Sequence, residues 1–198
     1  MSIAILVHGF NVWDGGRATV GKLRPFFADS KIPYLMVNYG WFGIGRTYLK
    51  NRKIARKVAY ACKTAKLMEP GKPIILVGHS NGCAIIYQAC KYFGAEVDKA
   101  VFINPALDKH VDIPDNLAKL DVWYSPSDKP VKWSKWLPFH PWGEMGRVGY
   151  KGPSTDKVRS FNKETAYPVS SAAHSDVFSV ENLPFFGPLI VKEALVDL

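Results

Sequence analysis

The chain has 198 residues, 47% of them hydrophobic and 22% charged. These proportions exclude a largely disordered chain, and the length fits one domain, 1–198, with a full core. The formal charge is +9, from 26 Lys and Arg against 17 Asp and Glu. No apolar run is long enough to span a membrane, because stretches such as Leu183-Pro184-Phe185-Phe186-Gly187-Pro188 are broken by Pro and Gly. Cys62, Cys83 and Cys90 make no disulfide framework, and residues 2–7 read as a strand without a basic leader, so a cytoplasmic location is expected.

In chain order, strand and helix alternate. Residues 3–8 read as a buried strand ending in His8-Gly9-Phe10, and 17–28 as a helix with Val20, Leu23, Phe26 and Phe27 on its apolar face. Tyr34 to Tyr39 is a second strand. Residues 45–68 form a helix with Ile54, Val58, Ala61 and Ala65 on one side and basic residues on the other. No Asp or Glu lies between Asp29 and Glu69, whereas that span holds Lys31, Arg46, Lys50, Arg52, Lys53, Arg56, Lys57, Lys63 and Lys66. The basic helix 46–66 is either a solvated outer face or a footprint for an anionic partner such as a membrane surface, nucleic acid or anionic polymer. No nucleic-acid-binding motif accompanies it.

Pro73 to Val77 is a third strand, and 81–93 a helix carrying Ile85, Ile86, Ala89 and Tyr92. Further strands follow at 100–104, 120–125 and 156–162, and a last helix at 189–198. Near-continuous apolar strands alternating with helices predict a parallel sheet covered on both faces. The segment 130–171 is rich in Trp, Pro and Gly and reads as an irregular, lid-like insertion.

The most telling stretch is Ile74-Ile75-Leu76-Val77-Gly78-His79-Ser80-Asn81-Gly82-Cys83. Gly-x-Ser-x-Gly between a strand and a helix is the pattern of a nucleophile elbow. The turn is tight enough that side chains two residues either side of the serine would collide, which Gly78 and Gly82 avoid. A serine nucleophile needs a base, and the base needs an orienting acid. His174, in the small-residue loop Ser171-Ala172-Ala173-His174, is the candidate base; His79 points away from the hydroxyl, and His8 shapes the first loop. Asp128, after the strand ending at Ser125, is the candidate acid, with Asp108 as its rival. The backbone N–H groups of Asn81 and Phe10 are the candidate oxyanion donors.

Val7-His8-Gly9-Phe10, Gly78-His79-Ser80-Asn81-Gly82, Asp128 and His174 occur in the order found in α/β-hydrolases, and the chain resembles small lipase- and esterase-like members of that superfamily. The resemblance runs from residue 5 to 178. It implies a reduced α/β-hydrolase fold: a three-layer α/β/α sandwich with a mostly parallel sheet of about five or six strands. It also implies a serine hydrolase that cleaves acyl esters through an acyl-enzyme, with Ser80, Asp128 and His174 as triad and no metal or other cofactor. A thioesterase or amidase on the same triad, or a non-catalytic protein that keeps the fold, are the alternatives. Trp13, Trp41, Phe42, Trp133, Trp136, Phe139 and Trp142 are expected near the catalytic edge, where they either form an aromatic rim suited to a lipid-like acyl ester or pack the long loop onto the body.

Overall fold

The computed structural model of the protein describes residues 2–10, 12–40, 46–130, 142–166, 173–196 and 198. The strands are β1 (Ile3–Val7), β2 (Tyr34–Val37), β3 (Ile74–His79), β4 (Val97–Ile103), β5 (Leu117–Tyr124) and β6 (Val158–Asn162). They form one six-stranded sheet in the order β2-β1-β3-β4-β5-β6, with every pairing parallel. The helices are α1 (Arg24–Asp29), α2 (Thr47–Met68), α3 (Asn81–Phe93), α4 (Met145–Val148), α5 (Lys163–Ala166) and α6 (Leu183–Leu195).

Successive strand residues point to opposite faces, so the sheet divides its apolar side chains between two cores. Ile5, Leu76, Phe102 and Val122 join Val58 of α2 and Ile85 of α3 on one face. Leu6, Val77, Ile103 and Trp123 join Phe27 of α1 and Phe186 and Ile190 of α6 on the other. The three layers expected from the strand pattern are therefore present. Chain direction across the sheet reverses at β1, which has β2 on one side and β3 on the other. Such a switch point leaves a crevice at the C-terminal ends of the two strands, where ligands bind in open α/β sheets.

Several elements differ in extent from their sequence pattern. The helix expected over 17–28 is a short 3-10 turn, Val20–Leu23, followed by α1, with Pro25 in the first turn of α1. The last helix begins at Leu183, not 189, because Pro184 occupies its first turn, where a missing N–H costs nothing. β4 and β5 each begin three residues earlier than their apolar runs. They contain a buried ion pair: Lys99 Nζ lies 2.9 Å from Asp121 Oδ2. Arg159 of β6 forks onto both Asp121 oxygens at 2.8 Å, so the buried carboxylate is matched by two cations. Within the stretch 130–171, the strand expected over 156–162 is the edge strand β6, and the described part also carries the short helices α4 and α5.

Candidate active site

Ser80 sits between the last residue of β3 and the first of α3, with φ 54° and ψ −121°. A non-glycine residue rarely adopts this conformation, and the surroundings fix it. The Ser80 N–H donates to the Ile103 carbonyl at 3.0 Å, and its own carbonyl accepts from Cys83 and Ala106, each at 3.1 Å. The flanking glycines are required by close approach. A Cβ on Gly82 would stand 2.2 Å from the Val7 carbonyl oxygen and 2.6 Å from that of His8. A Cβ on Gly78 would stand 2.9 Å from the Cys83 nitrogen. The same packing presses the first loop onto the elbow, where a Cβ on Gly9 would meet the Ser80 Cβ at 3.2 Å.

That first loop is tied down from β2. The Tyr39 hydroxyl is 2.5 Å from the His8 carbonyl and 2.7 Å from that of Gly9, and the His8 and Tyr39 rings stack at 3.8 Å. His8 is fully buried, and burial lowers its pKa, so its ring is a neutral spacer. Asn81, immediately after the serine, is the first residue of α3, so its N–H has no acceptor within the helix. Its side chain exchanges hydrogen bonds with Asn51 of α2 at 2.8 and 3.0 Å. Its oxygen also accepts from Trp142 Nε1 at 2.8 Å, and Trp142 meets the Phe10 ring edge-on at 5.0 Å.

Asp128 and His174 come together. His174 Nδ1 lies 2.8 Å from Asp128 Oδ2, and Asp128 is fully buried. A carboxylate offers only acceptors, so Nδ1 carries a proton, and in the neutral ring Nε2 is the nitrogen left with a lone pair. Asp108, the rival acid, instead accepts from the His110 N–H at 2.7 Å. His79 contacts His174, the candidate base: its Nε2 is 2.9 Å from the His174 carbonyl, and the two rings lie 4.8 Å apart. A carbonyl only accepts, so His79 is the Nε2–H tautomer. Burial, reinforced by the neighbouring His174, holds its pKa well below the usual histidine value, so it is neutral.

Behind Asp128 lies a polar relay that spacing along the chain does not reveal. Asn104, at φ 46° after β4, donates from Nδ2 to Asp128 Oδ2 at 2.8 Å. Its Oδ1 accepts from Lys163 Nζ. Lys163 is fully buried at the start of α5, and its Nζ also lies 3.4 Å from the carbonyl of Ala173, the residue before His174. Burial lowers the Lys163 pKa to about 8, opposed by the charges of Asp128, Asp176 and Glu164. Glu164 accepts from the Ser125 hydroxyl, and from the Ser127 N–H at 2.8 Å, which holds the turn leading to Asp128.

No protein-family model and no curated protein matches the sequence. Solved structures do match the whole chain. A protein of the alpha/beta hydrolase superfamily from Xanthomonas campestris matches at a TM-score of 0.56 and 14% identity, over 97% of this chain and 99% of its own. The esterase Pf2001 of Pyrococcus furiosus matches at 0.59 and 12% identity, over 98% of this chain and 80% of its own. Est1E of Butyrivibrio proteoclasticus, solved with ferulic acid bound, matches at 0.57 and 12% identity, over 98% of this chain and 90% of its own.

The fold is that of the α/β-hydrolases.

Within this α/β-hydrolase fold, Ser80, the first loop and the Asp128–His174 pair all lie at the C-terminal edge of the sheet. Trp13 is 78% exposed, on the surface of the first loop. Trp41, Phe42, Trp133, Trp136 and Phe139 lie outside the described residues. In the sequence Asn104 has a place on this edge, at the end of the fourth strand, but no role, and the signal for Lys163 and Glu164 is only their position directly after a strand that opens onto the same edge.

Proposed function

We propose that the protein is a serine hydrolase that cleaves carboxylic esters through an acyl-enzyme. The observation that carries this reading is the strained Ser80 conformation at a βα elbow, combined with a hydrogen-bonded Asp128–His174 pair on the same sheet edge. His174 Nε2 takes the Ser80 Oγ proton as Oγ bonds to the acyl carbon, and returns it to the leaving alkoxide as the ester C–O bond breaks. Asp128 holds the Nδ1–H tautomer and stabilises the imidazolium. The N–H groups of Asn81 and Phe10 receive the oxyanion, helped by the positive end of α3. Water then attacks the acyl-enzyme, again with His174 as base.

The esterase description of the Pyrococcus structure supports an ester over other acyl substrates. Trp142 and Phe10, packed beside Asn81, give the site an aromatic wall suited to an apolar acyl group. The test is hydrolysis of matched oxygen ester, thioester and amide substrates sharing one acyl chain. The oxygen ester turns over fastest, and Ser80→Ala abolishes turnover. Preferred turnover of the thioester or amide would move the protein to that class. Turnover undiminished in Ser80→Ala would remove the serine mechanism.

A further inference from the structure

α2 buries Ile54, Ala55, Val58, Ala59 and Cys62 against the sheet and turns a second stripe outward. Leu49, Lys53, Arg56, Tyr60, Lys63 and Leu67 follow at steps of four and three, the spacing of one helix face, and all six are exposed. Leu49, Tyr60 and Leu67 are each more than 70% exposed (73%, 72% and 72%). Thr47–Met68 contains no acidic residue. Beside the last turns of this stripe, between α2 and the end of α3, lies a groove of about 540 Å³, whose carboxylate, Glu96, is paired with Lys66 at 2.8 Å. Ala59, Cys62 and Ala95 line its floor, and Arg56, Lys63 and Leu67 its rim.

Charge alone would make this a solvated face. Leu49 and Leu67, spaced among the cations, have no hydrogen bond to offer a nucleic-acid backbone, and Tyr60 adds a ring to the same exposed stripe. They fit a layered partner whose outer layer is anionic and whose next layer is hydrocarbon. Basic side chains meet phosphates, while leucine and tyrosine reach the acyl boundary. Among the described residues no helix is long and apolar enough to cross a membrane, so the contact is with a surface. α2 also starts beside the nucleophile, since Asn51 in its second turn is doubly bonded to Asn81. Leu49 therefore lies at the end of the helix nearest the site.

We propose that the outer face of α2 docks the protein on an anionic phospholipid bilayer, with the nucleophile edge next to the lipid. Docking is independent of the hydrolase reading, so it is measured on the Ser80→Ala protein. The experiment is co-sedimentation with vesicles of phosphatidylglycerol mixed into phosphatidylcholine and with vesicles of phosphatidylcholine alone, at low and high salt. The protein binds the anionic vesicles, and high salt releases it. Changing Lys53, Arg56 and Lys63 together to Gln lowers the affinity ~100-fold. Changing Leu49 and Tyr60 to Ser weakens binding with the charge unaltered. All five side chains are exposed, and circular dichroism checks that the variants stay folded. Equal binding to both vesicles, binding to neither, or unchanged binding by the charge variant would overturn the proposal. So would binding to duplex DNA that needs the cations and ignores Leu49 and Tyr60.

Discussion

Asn104 Nδ2 stands 2.8 Å from Asp128 Oδ2, the same oxygen that faces His174 Nδ1 at 2.8 Å. One carboxylate oxygen thus receives two donors from different strands' loops, which fixes its direction. Removing the Asn104 amide takes one of these two donors away and loosens the carboxylate's orientation, at the cost of a charge-assisted hydrogen bond. Asn104→Ala lowers kcat for a small ester by roughly 10- to 100-fold with KM little changed, an effect read in steady-state kinetics.

Lys163 is a buried base whose pKa has fallen from 10.5 to about 8. Folding therefore favours its neutral form. Below about pH 8 the full penalty, roughly 3 kcal/mol, weighs on the native state. Between about pH 8 and 10.5 the unfolded chain holds the extra proton, so this contribution to stability rises with pH across that window. Lys163→Met removes the penalty and leaves Asn104 Oδ1 without its donor, which costs about 1 kcal/mol. The variant melts higher than wild type at pH 7 and loses that advantage by pH 10, while its ester turnover falls. Calorimetry across this pH range, paired with kinetics, checks both halves.

His79 links the elbow to the loop of the base through the 2.9 Å contact with the His174 carbonyl. Phenylalanine keeps the bulk and deletes the donor, whereas glutamine keeps an N–H. His79→Phe lowers kcat/KM about tenfold, and His79→Gln recovers part of it. Equal losses in both variants would reduce His79 to a packing residue.

Gly82 is pressed against backbone that cannot move aside cheaply. A Cβ there would lie 2.2 Å from the Val7 oxygen. Gly82→Ala forces β1 and the first loop away from α3, and urea unfolding should show a loss of roughly 1–3 kcal/mol together with lost turnover. Gly40, with no atom of the described residues within 4 Å of its would-be Cβ but a φ of +66°, provides the contrast: its alanine variant tests backbone strain without a clash against them.

The sheet was legible because β1 and β3 are buried on both faces and so read as unbroken apolar runs. Parallel strands send their loops to one edge, so chain order alone groups Ser80 with Asp128, whereas His174 stands out as the histidine of a small-residue loop before the last helix. What misled was local chemistry answered by distant partners. Lys99 looks like a strand boundary until it is seen to be neutralised by Asp121 on the neighbouring strand. Pro184 looks like a helix breaker and is a helix opener. Lys163 and Asn104 are 59 residues apart, so no spacing rule joins them. The basic stripe of α2 was visible at once, but the exposure of Leu49, Tyr60 and Leu67 among its charges was not.

Labelling with a fluorophosphonate probe tests the central claim most directly, because the probe reacts with a serine activated by a neighbouring base and needs no knowledge of the substrate. The expected result is one covalent adduct per chain, located on Ser80 by peptide mass, absent in Ser80→Ala and strongly reduced in His174→Ala and Asp128→Asn. A folded wild-type protein that takes no label, or an adduct that persists in Ser80→Ala, would contradict it.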